Sequence, residues 1–293
     1  MSELIPKLHH DTELFREAVQ YTAAITGFTQ RLVEKDYFCS VVLAYLATAK
    51  HEQLVFKGGT CLAKVHSGFY RLSEDLDFAI SMPVTAMRAE RSKEIIPVKN
   101  IFRKLFHDLS ELHEEETFTG KNASKQYIGT IGYDSVLQTH RESITFEVAL
   151  REPFLEPIIA MDVETILLHP LHGKSFFPPF PLPCISKEET FAEKFRAAMT
   201  RREPAIRDYF DIDYANRKLE LDFSEREFVA MIKAKLQVPG NDAVDISDER
   251  MRLLGTQIHA RLKPVLRDKD FMEFDLSRAF EIVTLAANRI EHV

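Results

Sequence analysis

The chain has 293 residues and a formal net charge of −7, with 45% hydrophobic and 28% charged residues. This length suffices for two substructures with a core each, and the composition is that of an ordinary globular protein. The negative charge argues mildly against a general nucleic-acid binder. No apolar run approaches the ~20 residues that span a bilayer, and no secretory signal is visible, so we expect a cytoplasmic protein without a membrane partner. The amino-terminal pair His9-His10 is expected to be solvated.

Hydrophobic spacing and β-type residues divide the chain into predicted elements. Helices are expected over residues 10–50 and 90–116, and strands at 54–56, 75–80, 126–133, 143–150 and 157–163. The proline-rich segment 177–183 is interpreted as a rigid connector and a domain hinge. Ser186 and Glu189 form a capping box that predicts a helix at about 187–201, and the rest of the chain is expected to be mostly helical.

One stretch, FKGGTCLAKVHSGFYRLSEDLDFAI, combines a phosphate-binding pattern with a metal-binding pattern. Gly58 and Gly59 allow the backbone to approach a phosphate closely, and a helix starting at Thr60 would point free N–H groups at the anion, with the threonine hydroxyl as a further donor. On the next strand Asp75 and Asp77 project on one face, where two carboxylates repel each other unless a cation such as Mg²⁺ lies between them. Either pattern alone is common in turns and on solvated strands. Their combination predicts a site for nucleotide transfer.

The same stretch resembles the first motif of DNA polymerase β-type nucleotidyltransferases. More specifically, KGGT followed by R-x-SEDLDF looks like the AbiEii/AbiGii-type toxin nucleotidyltransferases of bacterial abortive-infection and toxin–antitoxin systems. The fourteen residues between Thr60 and Asp75 slightly exceed the usual superfamily spacing, and this longer spacing, with Arg71 and Ser73 before the acids, is part of the likeness. The resemblance covers roughly residues 30 to 220.

The resemblance implies an α+β protein. A nucleotidyltransferase-fold mixed β-sheet with flanking helices is expected in residues 1–180, and a mostly helical domain in residues 181–293. The resemblance also implies that Glu147, the single acid in the strand ITFEVAL, is a third carboxylate of the metal site and assists deprotonation of the attacking hydroxyl. The alternative is that Glu147 merely faces solvent on a half-exposed strand.

The segment EKFRAAMTRREPAIRDYFDIDYA supplies a second pattern. At 3.6 residues per turn, Lys194 and Arg201 lie along one helix face, and after Pro204 Asp208 and Asp211 are neighbours on the next helix. This resembles the AbiEii-type Lys-x₆-Arg segment followed by Arg-Asp-x-x-Asp, in which the lysine contacts the triphosphate and an acidic residue holds the lysine or takes part in catalysis. The alternative is an ordinary salt-bridge array between helices. With the first motif, the segment predicts a nucleotide cleft between the two domains.

The predicted activity is Mg²⁺-dependent transfer of a nucleoside monophosphate from a nucleoside triphosphate to an acceptor hydroxyl. The acceptor is expected to be RNA, such as the 3′ end of a tRNA, and the enzyme a toxin with a cognate antitoxin. Three alternatives stay open: a kinase-like protein phosphotransferase, a small-molecule nucleotidyltransferase, and a non-catalytic nucleotide-binding toxin or regulator. The expected catalytic residues, of which the first three are also the metal ligands, are Asp75, Asp77, Glu147, Lys194 and Asp211. The expected nucleotide-binding residues are Lys57, Gly58, Gly59, Thr60, Arg71, Ser73, Lys194, Arg201 and Asp208.

Overall fold

The structure, a computed structural model, describes residues 5–49, 51–219 and 221–290. It divides into two compact units, Met1–Ile185 and Ser186–Val293. In the described residues every β-strand belongs to the first unit, whereas the second unit consists of helices and their connections. The chain is therefore a mixed α+β protein, which confirms the expected fold class.

The first unit alternates helices and strands along the chain. Its α-helices are α1 (Thr12–Thr26), α2 (Gln30–Ala49), α3 (Gly58–Cys61), α4 (Arg88–Glu94) and α5 (Ile96–Asp108). Its strands are β1 (Val55–Lys57), β2 (Asp75–Ala79), β3 (Leu112–Lys121), β4 (Gln126–Asp134), β5 (Arg141–Ala149), β6 (Ile159–Val163) and β7 (Phe180–Cys184). The strands expected at 54–56, 75–80, 126–133, 143–150 and 157–163 are thus confirmed to within two residues at each end.

Within the described residues the seven strands form one mixed sheet with the order β3-β4-β5-β2-β1-β7-β6. Strand β2 runs parallel to β5 and antiparallel to β1, and β1 runs parallel to β7. The two strands of the glycine and aspartate motif therefore lie side by side in the middle of the sheet. Buried rings join the three central strands, because Phe78 of β2 lies 5.3 Å from both Phe56 of β1 and Phe146 of β5, measured between ring centroids.

Helix α2 is a central helix of the first unit because its side chains are buried on every side. All residues from Leu32 to Leu46 are buried, and Phe38 stacks on Tyr133 of β4 with 4.0 Å between ring centroids. This buried run includes three consecutive charged residues, Glu34, Lys35 and Asp36. Charged groups are buried only where they are paired. Lys35 and Asp36 pair with residues of the glycine and aspartate motif.

The amino-terminal histidine pair is only partly solvated, contrary to the expectation from the sequence. Residues Leu8–His10 form a 3₁₀ turn in which His9 is 8% exposed. Its ring packs against the rings of Tyr37 and Phe38, whereas His10 is exposed. The aromatic surface of α2 covers His9, and nothing in the local sequence signals this long-range packing.

The helix expected over residues 90–116 is wrong at its carboxy-terminal end. Helix α5 ends at Asp108, and Leu112 begins the edge strand β3. Within the first seven residues of β3 only Leu112 and Phe118 are buried, and the four residues 114–117 are exposed. A charged, irregularly paired edge strand resists pairing with other chains, but it lacks the alternation of apolar and polar residues from which strands are predicted.

The proline-rich segment 177–183 is not a hinge, because Phe180–Cys184 form strand β7 inside the sheet. All five residues of β7 are paired with β6, whereas the register with β1 consists of the single pair Phe56 and Cys184. Backbone N–H groups of alternate residues point to opposite edges of a strand. Pro181 and Pro183 therefore remove donors from one edge only, which leaves the other edge free to pair.

The second unit contains the helices α6 (Lys187–Thr200), α7 (Ile206–Lys218), α8 (Arg226–Leu236), α9 (Asp248–Gln257), α10 (Asp268–Glu273) and α11 (Leu276–Ile290). The serine half of the capping box expected for α6 is confirmed, since the backbone N–H of Glu189 donates to the Ser186 side chain. Helix α7 begins after Pro204, as expected, with Ala205 as its N-cap residue. In the part of the chain that the structure describes, no helix combines the length and hydrophobicity needed to cross a bilayer.

Candidate active site

Three carboxylates share one face of the central sheet in the first unit. Asp77 of β2 is the direct partner of Glu147 of β5, and Asp75 is the partner of Thr145. Paired residues of neighbouring strands point to the same side, and all four of these side chains are partly exposed. The alternate residues Leu76 and Phe78 are buried in the core. The strand periodicity expected for the two aspartates is confirmed, and Glu147 stands beside Asp77 on a half-exposed strand.

Lys57 extends this row across β1. It is the partner of Asp77 in the antiparallel register between β1 and β2, so its side chain is on the same face as the three carboxylates. The formal charges of Asp75, Asp77, Glu147 and Lys57 sum to −2, which a divalent cation would balance. Like charges on directly paired residues destabilise a sheet, and carboxylate oxygens are the ligands that a hard divalent cation prefers. The chemistry of these side chains therefore suits a divalent cation with oxygen ligands.

The glycine pair lies where side chains would collide with the site. Gly58 has a φ of +76°, and a Cβ atom there would lie 2.2 Å from Oδ2 of Asp77. A Cβ atom on Gly59 would lie 2.7 Å from Nη2 of Arg71 and 3.0 Å from Oγ of Ser73. Only glycine allows the backbone to approach the carboxylate and the guanidinium this closely. The geometry brings together five residues that the sequence assigned to nucleotide binding or metal binding from separate parts of the motif.

A short helix starts at this glycine pair. Helix α3 begins at Gly58 rather than at the expected Thr60, and it continues as a π-helix over Leu62–His66. The N–H groups of the first turn of a helix have no intrahelical acceptor, and they favour anions. At the start of α3, backbone N–H donors therefore lie next to the cationic side chain of Arg71.

Arg71 is a buried cation that sits next to the glycine backbone. Its side chain is 2% exposed, Nη1 donates to the carbonyl of Leu72 over 3.3 Å, and the guanidinium lies 5.7 Å from the ring centroid of Tyr70. A guanidinium has five donors in a rigid plane and stays charged, so it suits recognition of phosphate. A phosphate contact by Arg71 remains a prediction.

Thr60 ties the helix start to the aspartate strand. Its side chain is buried, and its hydroxyl donates to the backbone carbonyl of Asp75. A hydroxyl has a single proton to donate, so in this arrangement it positions the two halves of the motif relative to each other. A phosphate contact by Thr60 would therefore use its backbone N–H group.

A buried ion pair anchors the π-helical turn after α3 to α2. No pattern in the sequence indicated this pair. Nζ of Lys64 lies 2.7 Å from Oδ2 of Asp36, and it also donates to Oγ of Ser40 over 2.8 Å. The side chains of the lysine and the aspartate are 0% and 3% exposed. The lysine lies in the π-helical turn that follows α3, and the pair therefore fixes the glycine loop to the core.

A second charged cluster anchors the residue before Asp75. Arg31 of α2 donates to Glu74 over 2.9 Å and makes two hydrogen bonds of 2.8 Å to Glu142 of β5. Lys35 lies 3.2 Å from the same Glu74 carboxylate. Burial alone would raise the pKa of Glu74, but the attraction of Lys35 and Arg31 outweighs it and holds the pKa below its usual value. Glu74 is therefore an anchor that stays charged at neutral pH.

The charged residues expected in the carboxy-terminal segment form one cluster within the second unit. Nζ of Lys194 on α6 lies 2.8 Å from Oδ1 of Asp208 and 2.9 Å from Oδ2 of Asp211, both on α7. Nη1 of Arg201 lies 3.0 Å from Oδ2 of Asp208. Asp211 is fully buried and Asp208 nearly so. The expectation that an acidic residue holds Lys194 is met by both aspartates, and the four formal charges cancel.

Asp208 is the bridge of this cluster, with one oxygen toward each cation. Burial would raise the pKa of its carboxyl, but attraction by Lys194 and Arg201 outweighs burial, so the pKa of Asp208 lies below its usual value of 3.8. The carboxylate is therefore charged at neutral pH. A buried carboxylate that accepts from two cations fixes the direction of the lysine side chain.

Arg250 of α9 holds the end of α6, a contact with no local signal in the sequence. Its Nε atom donates to the carbonyl of Ala198 and its Nη2 atom to the carbonyl of Arg201, each over 2.9 Å. The hydroxyl of Tyr209 also donates to the Ala198 carbonyl, over 2.9 Å. The last turn of a helix has unsatisfied carbonyl groups, and these donors satisfy two of them next to the charged cluster.

A mixed sheet with a glycine loop beside a row of carboxylates defines a nucleotidyltransferase type of unit. The family model described as the nucleotidyl transferase AbiEii toxin of a type IV toxin–antitoxin system matches residues 42–281. The chain belongs to this AbiEii family of toxin nucleotidyltransferases, and it is a nucleotidyltransferase. The resemblance stated from the sequence motifs is thereby confirmed. No match was found among the curated proteins.

Two solved structures are similar to this chain at low sequence identity. JHP933 from Helicobacter pylori has 14% identity and a TM-score of 0.47, with 98% of this chain and 95% of that chain covered. MenT4, a nucleotidyltransferase toxin from Mycobacterium tuberculosis H37Rv, has 18% identity and a TM-score of 0.47, with 90% of this chain and 99% of that chain covered. At this identity and TM-score, neither structure adds to the family assignment.

Proposed function

We propose that this chain transfers a nucleoside monophosphate from a nucleoside triphosphate to a hydroxyl group of RNA, with Mg²⁺ held by Asp75, Asp77 and Glu147. The observation that carries the proposal is the direct pairing of Asp77 with Glu147, with Gly58 packed against the same carboxylate. In the proposal these carboxylates are the metal ligands, and they lie next to a backbone that can approach a phosphate. A bound Mg²⁺ would neutralise phosphate charge and lower the pKa of the attacking hydroxyl.

The residues of the first unit have separate tasks in this proposal. The backbone at Gly58 and Gly59, together with Arg71, binds and orients the triphosphate. Glu147 accepts the proton of the acceptor hydroxyl, and Lys57 balances the charge of the carboxylate row. Phosphoryl transfer depends almost entirely on positioning and on electrostatic stabilisation, so the rigid anchoring of this loop by Thr60 and its neighbours supports the assignment.

The roles of the second unit are proposed from the family resemblance. Lys194 would contact the triphosphate and neutralise charge on the leaving pyrophosphate, while Asp208 and Asp211 hold the lysine in place. Lys194→Met should therefore lower transfer in the folded protein. Lys218→Met is the matched control, because Lys218 also lies on a helix, 3.2 Å from the carboxylate of Glu273. Equal activity of the two variants would remove Lys194 from the proposed mechanism.

The decisive experiment uses nucleoside triphosphates labelled at the α- or the γ-phosphate, with total RNA and total protein as acceptors. The proposal expects α-label on RNA, in particular on tRNA, lost on chelation and restored by Mg²⁺. γ-Label on protein would instead identify a phosphotransferase, and α-label on a small molecule would identify a different acceptor class. Nucleotide binding without pyrophosphate release would identify a non-catalytic toxin or regulator. The family description also implies an antitoxin, and co-expression of its gene should relieve the toxicity.

A further inference from the structure

Two histidines and one glutamate, none of them part of the carboxylate row, converge near the amino-terminal end of the first unit. His9 and His10 come from the 3₁₀ turn before α1, and Glu111 comes from the turn between α5 and β3. One possible ligand atom from each residue lies within 4.8 Å of the other two. The three side chains are buried, exposed and half-buried, in that order. His10 is thus the member of the cluster that solvent reaches most easily.

The buried atoms of this cluster lack ordinary hydrogen bonds. Nε2 of His9 and Oε1 of Glu111 lie 3.2 Å apart, yet neither atom makes a hydrogen bond of acceptable geometry to any residue that the structure describes. Buried polar atoms are nearly always hydrogen-bonded, and those that are not call for an explanation such as an ion. Two lone pairs directed at a common third point would explain both the short distance and the poor alignment.

The opposite side of the His9 ring is arranged as in a metal-binding histidine. Its Nδ1 atom lies 2.7 Å from the hydroxyl of Tyr37, and the backbone N–H of His9 donates to the same hydroxyl over 3.3 Å. A histidine that binds a metal through one ring nitrogen usually donates its other N–H to an oxygen of the protein. In the tautomer whose Nδ1–H donates to Tyr37, which is the form that metal binding requires, the lone pair on Nε2 faces Glu111.

We propose that His9, His10 and Glu111 form a binding site for a divalent transition-metal ion, Zn²⁺ in the first place. Zinc is bound by imidazole nitrogen and carboxylate oxygen at about 2.1 Å, and tetrahedral ligands at that distance are about 3.4 Å apart. The separation of the His9 and Glu111 atoms is already close to this value, and the exposed His10 ring is free of core packing that would fix it elsewhere. Two imidazole ligands select zinc over Mg²⁺, which prefers oxygen only. Water completes the fourth position.

The ion would join segments that are distant in the sequence. His9 and His10 precede the first helix of the unit, whereas Glu111 follows its fifth helix. A metal that clips together distant residues closes a long loop, and it stabilises the folded state in proportion to the logarithm of its free concentration. Zinc therefore ties the amino-terminal turn to the turn between α5 and β3.

The test is a zinc titration of the full chain after chelator treatment, read by calorimetry in millimolar Mg²⁺ so that the carboxylate row is occupied. The wild type should bind one Zn²⁺, and His10→Ala and Glu111→Gln should each weaken binding at least about tenfold. His107→Ala is the matched control and should bind as the wild type. His107 is an exposed histidine 3.0 Å from Asp108, and among the described residues this surface pair has no third possible metal ligand.

A thermal melt gives a second readout that does not depend on catalysis. Zinc should raise the unfolding midpoint of the wild type and of His107→Ala, and it should leave the midpoint of Glu111→Gln unchanged. The proposal is overturned if the wild type binds no Zn²⁺, or if His10→Ala and Glu111→Gln bind it as tightly as the wild type. In that case His9 and Glu111 form only an ordinary ion pair.

Discussion

Asp77 and Glu147 are direct partners in the parallel ladder between β2 and β5. Their side chains therefore stand next to each other in the middle of the sheet, with Asp75 two residues before Asp77 on the same face. Adjacent carboxylates of this kind are costly unless a cation lies between them. A cation bound for the proposed reaction would also offset the repulsion between these carboxylates. A substitution at Asp77 is therefore the most informative one.

Asp77→Asn should lower nucleotide transfer at least about a hundredfold, because it removes one charged ligand of the proposed metal. The folded fraction, measured by circular dichroism, should stay unchanged, since the amide has the size of the carboxylate. Asp162→Asn is the matched control, because Asp162 is an exposed aspartate on β6. Transfer by Asp77→Asn at a rate within tenfold of the control would contradict the metal assignment.

Gly58→Ala should abolish transfer, whereas Gly68→Ala should only lower stability. Both glycines have a positive φ, +76° and +59°, so alanine at either position costs about 1–2 kcal/mol in the backbone. At Gly58 the new Cβ atom would also collide with the Asp77 carboxylate, whereas at Gly68 it would meet no atom within 4 Å. Activity per folded molecule separates the two effects. If both variants kept the same activity, close approach at Gly58 would not matter for the reaction.

Lys64→Met should lower the free energy of unfolding by about 3–5 kcal/mol, because it leaves the buried Asp36 carboxylate without its cation. Combining Lys64→Met with Asp36→Leu should recover most of this loss, since both buried charges are then removed. Lys104→Met should change stability by less than about 1 kcal/mol. Lys104 is an exposed lysine 3.6 Å from Asp108. Urea denaturation measures all four proteins, and equal effects at Lys64 and Lys104 would show that the buried pair does not stabilise the loop.

The Asp208 cluster should make the free energy of unfolding depend on pH below about pH 3.8. The pKa of Asp208 is lower in the folded state than its usual value of 3.8, so the unfolded state binds more protons as the pH falls through this range. The contribution of Asp208 is therefore fully present above pH 3.8 and is lost as the pH falls below it. The difference in unfolding free energy between the wild type and Asp208→Asn should be constant near neutral pH and should shrink below pH 3.8. A difference that grows on acidification would contradict the inferred direction.

Local patterns determined the placement of individual side chains in several elements. The two-residue period of a strand is enough to place Asp75 and Asp77 on one face, and the helical period is enough to place Lys194 and Arg201 on another. The serine cap of α6 is equally local, because donor and acceptor are three residues apart. The family likewise follows from the motif KGGT and the acids after it, because this short run of residues is enough to indicate the family.

Contacts between residues that are far apart in the sequence were decided by the packing of the whole core. The partner of Asp77 was uncertain from sequence because the register of two strands is set by which faces they bury against the whole core. The same reason explains the buried pair of Lys64 with Asp36 and the cap that Arg250 supplies to α6, whose partners are far apart in the sequence. Strand β7 formed despite its prolines, because one edge still had donors.

The sequence by itself thus determined the reaction class and the expected carboxylates Asp75 and Asp77. Only the tertiary structure decided that Glu147 stands directly beside Asp77, that Gly58 leaves room for that carboxylate, and that His9 is buried next to Glu111. The physical reason is that chain periodicity orients a side chain relative to its own backbone. Its neighbours are chosen by the packing of all elements together.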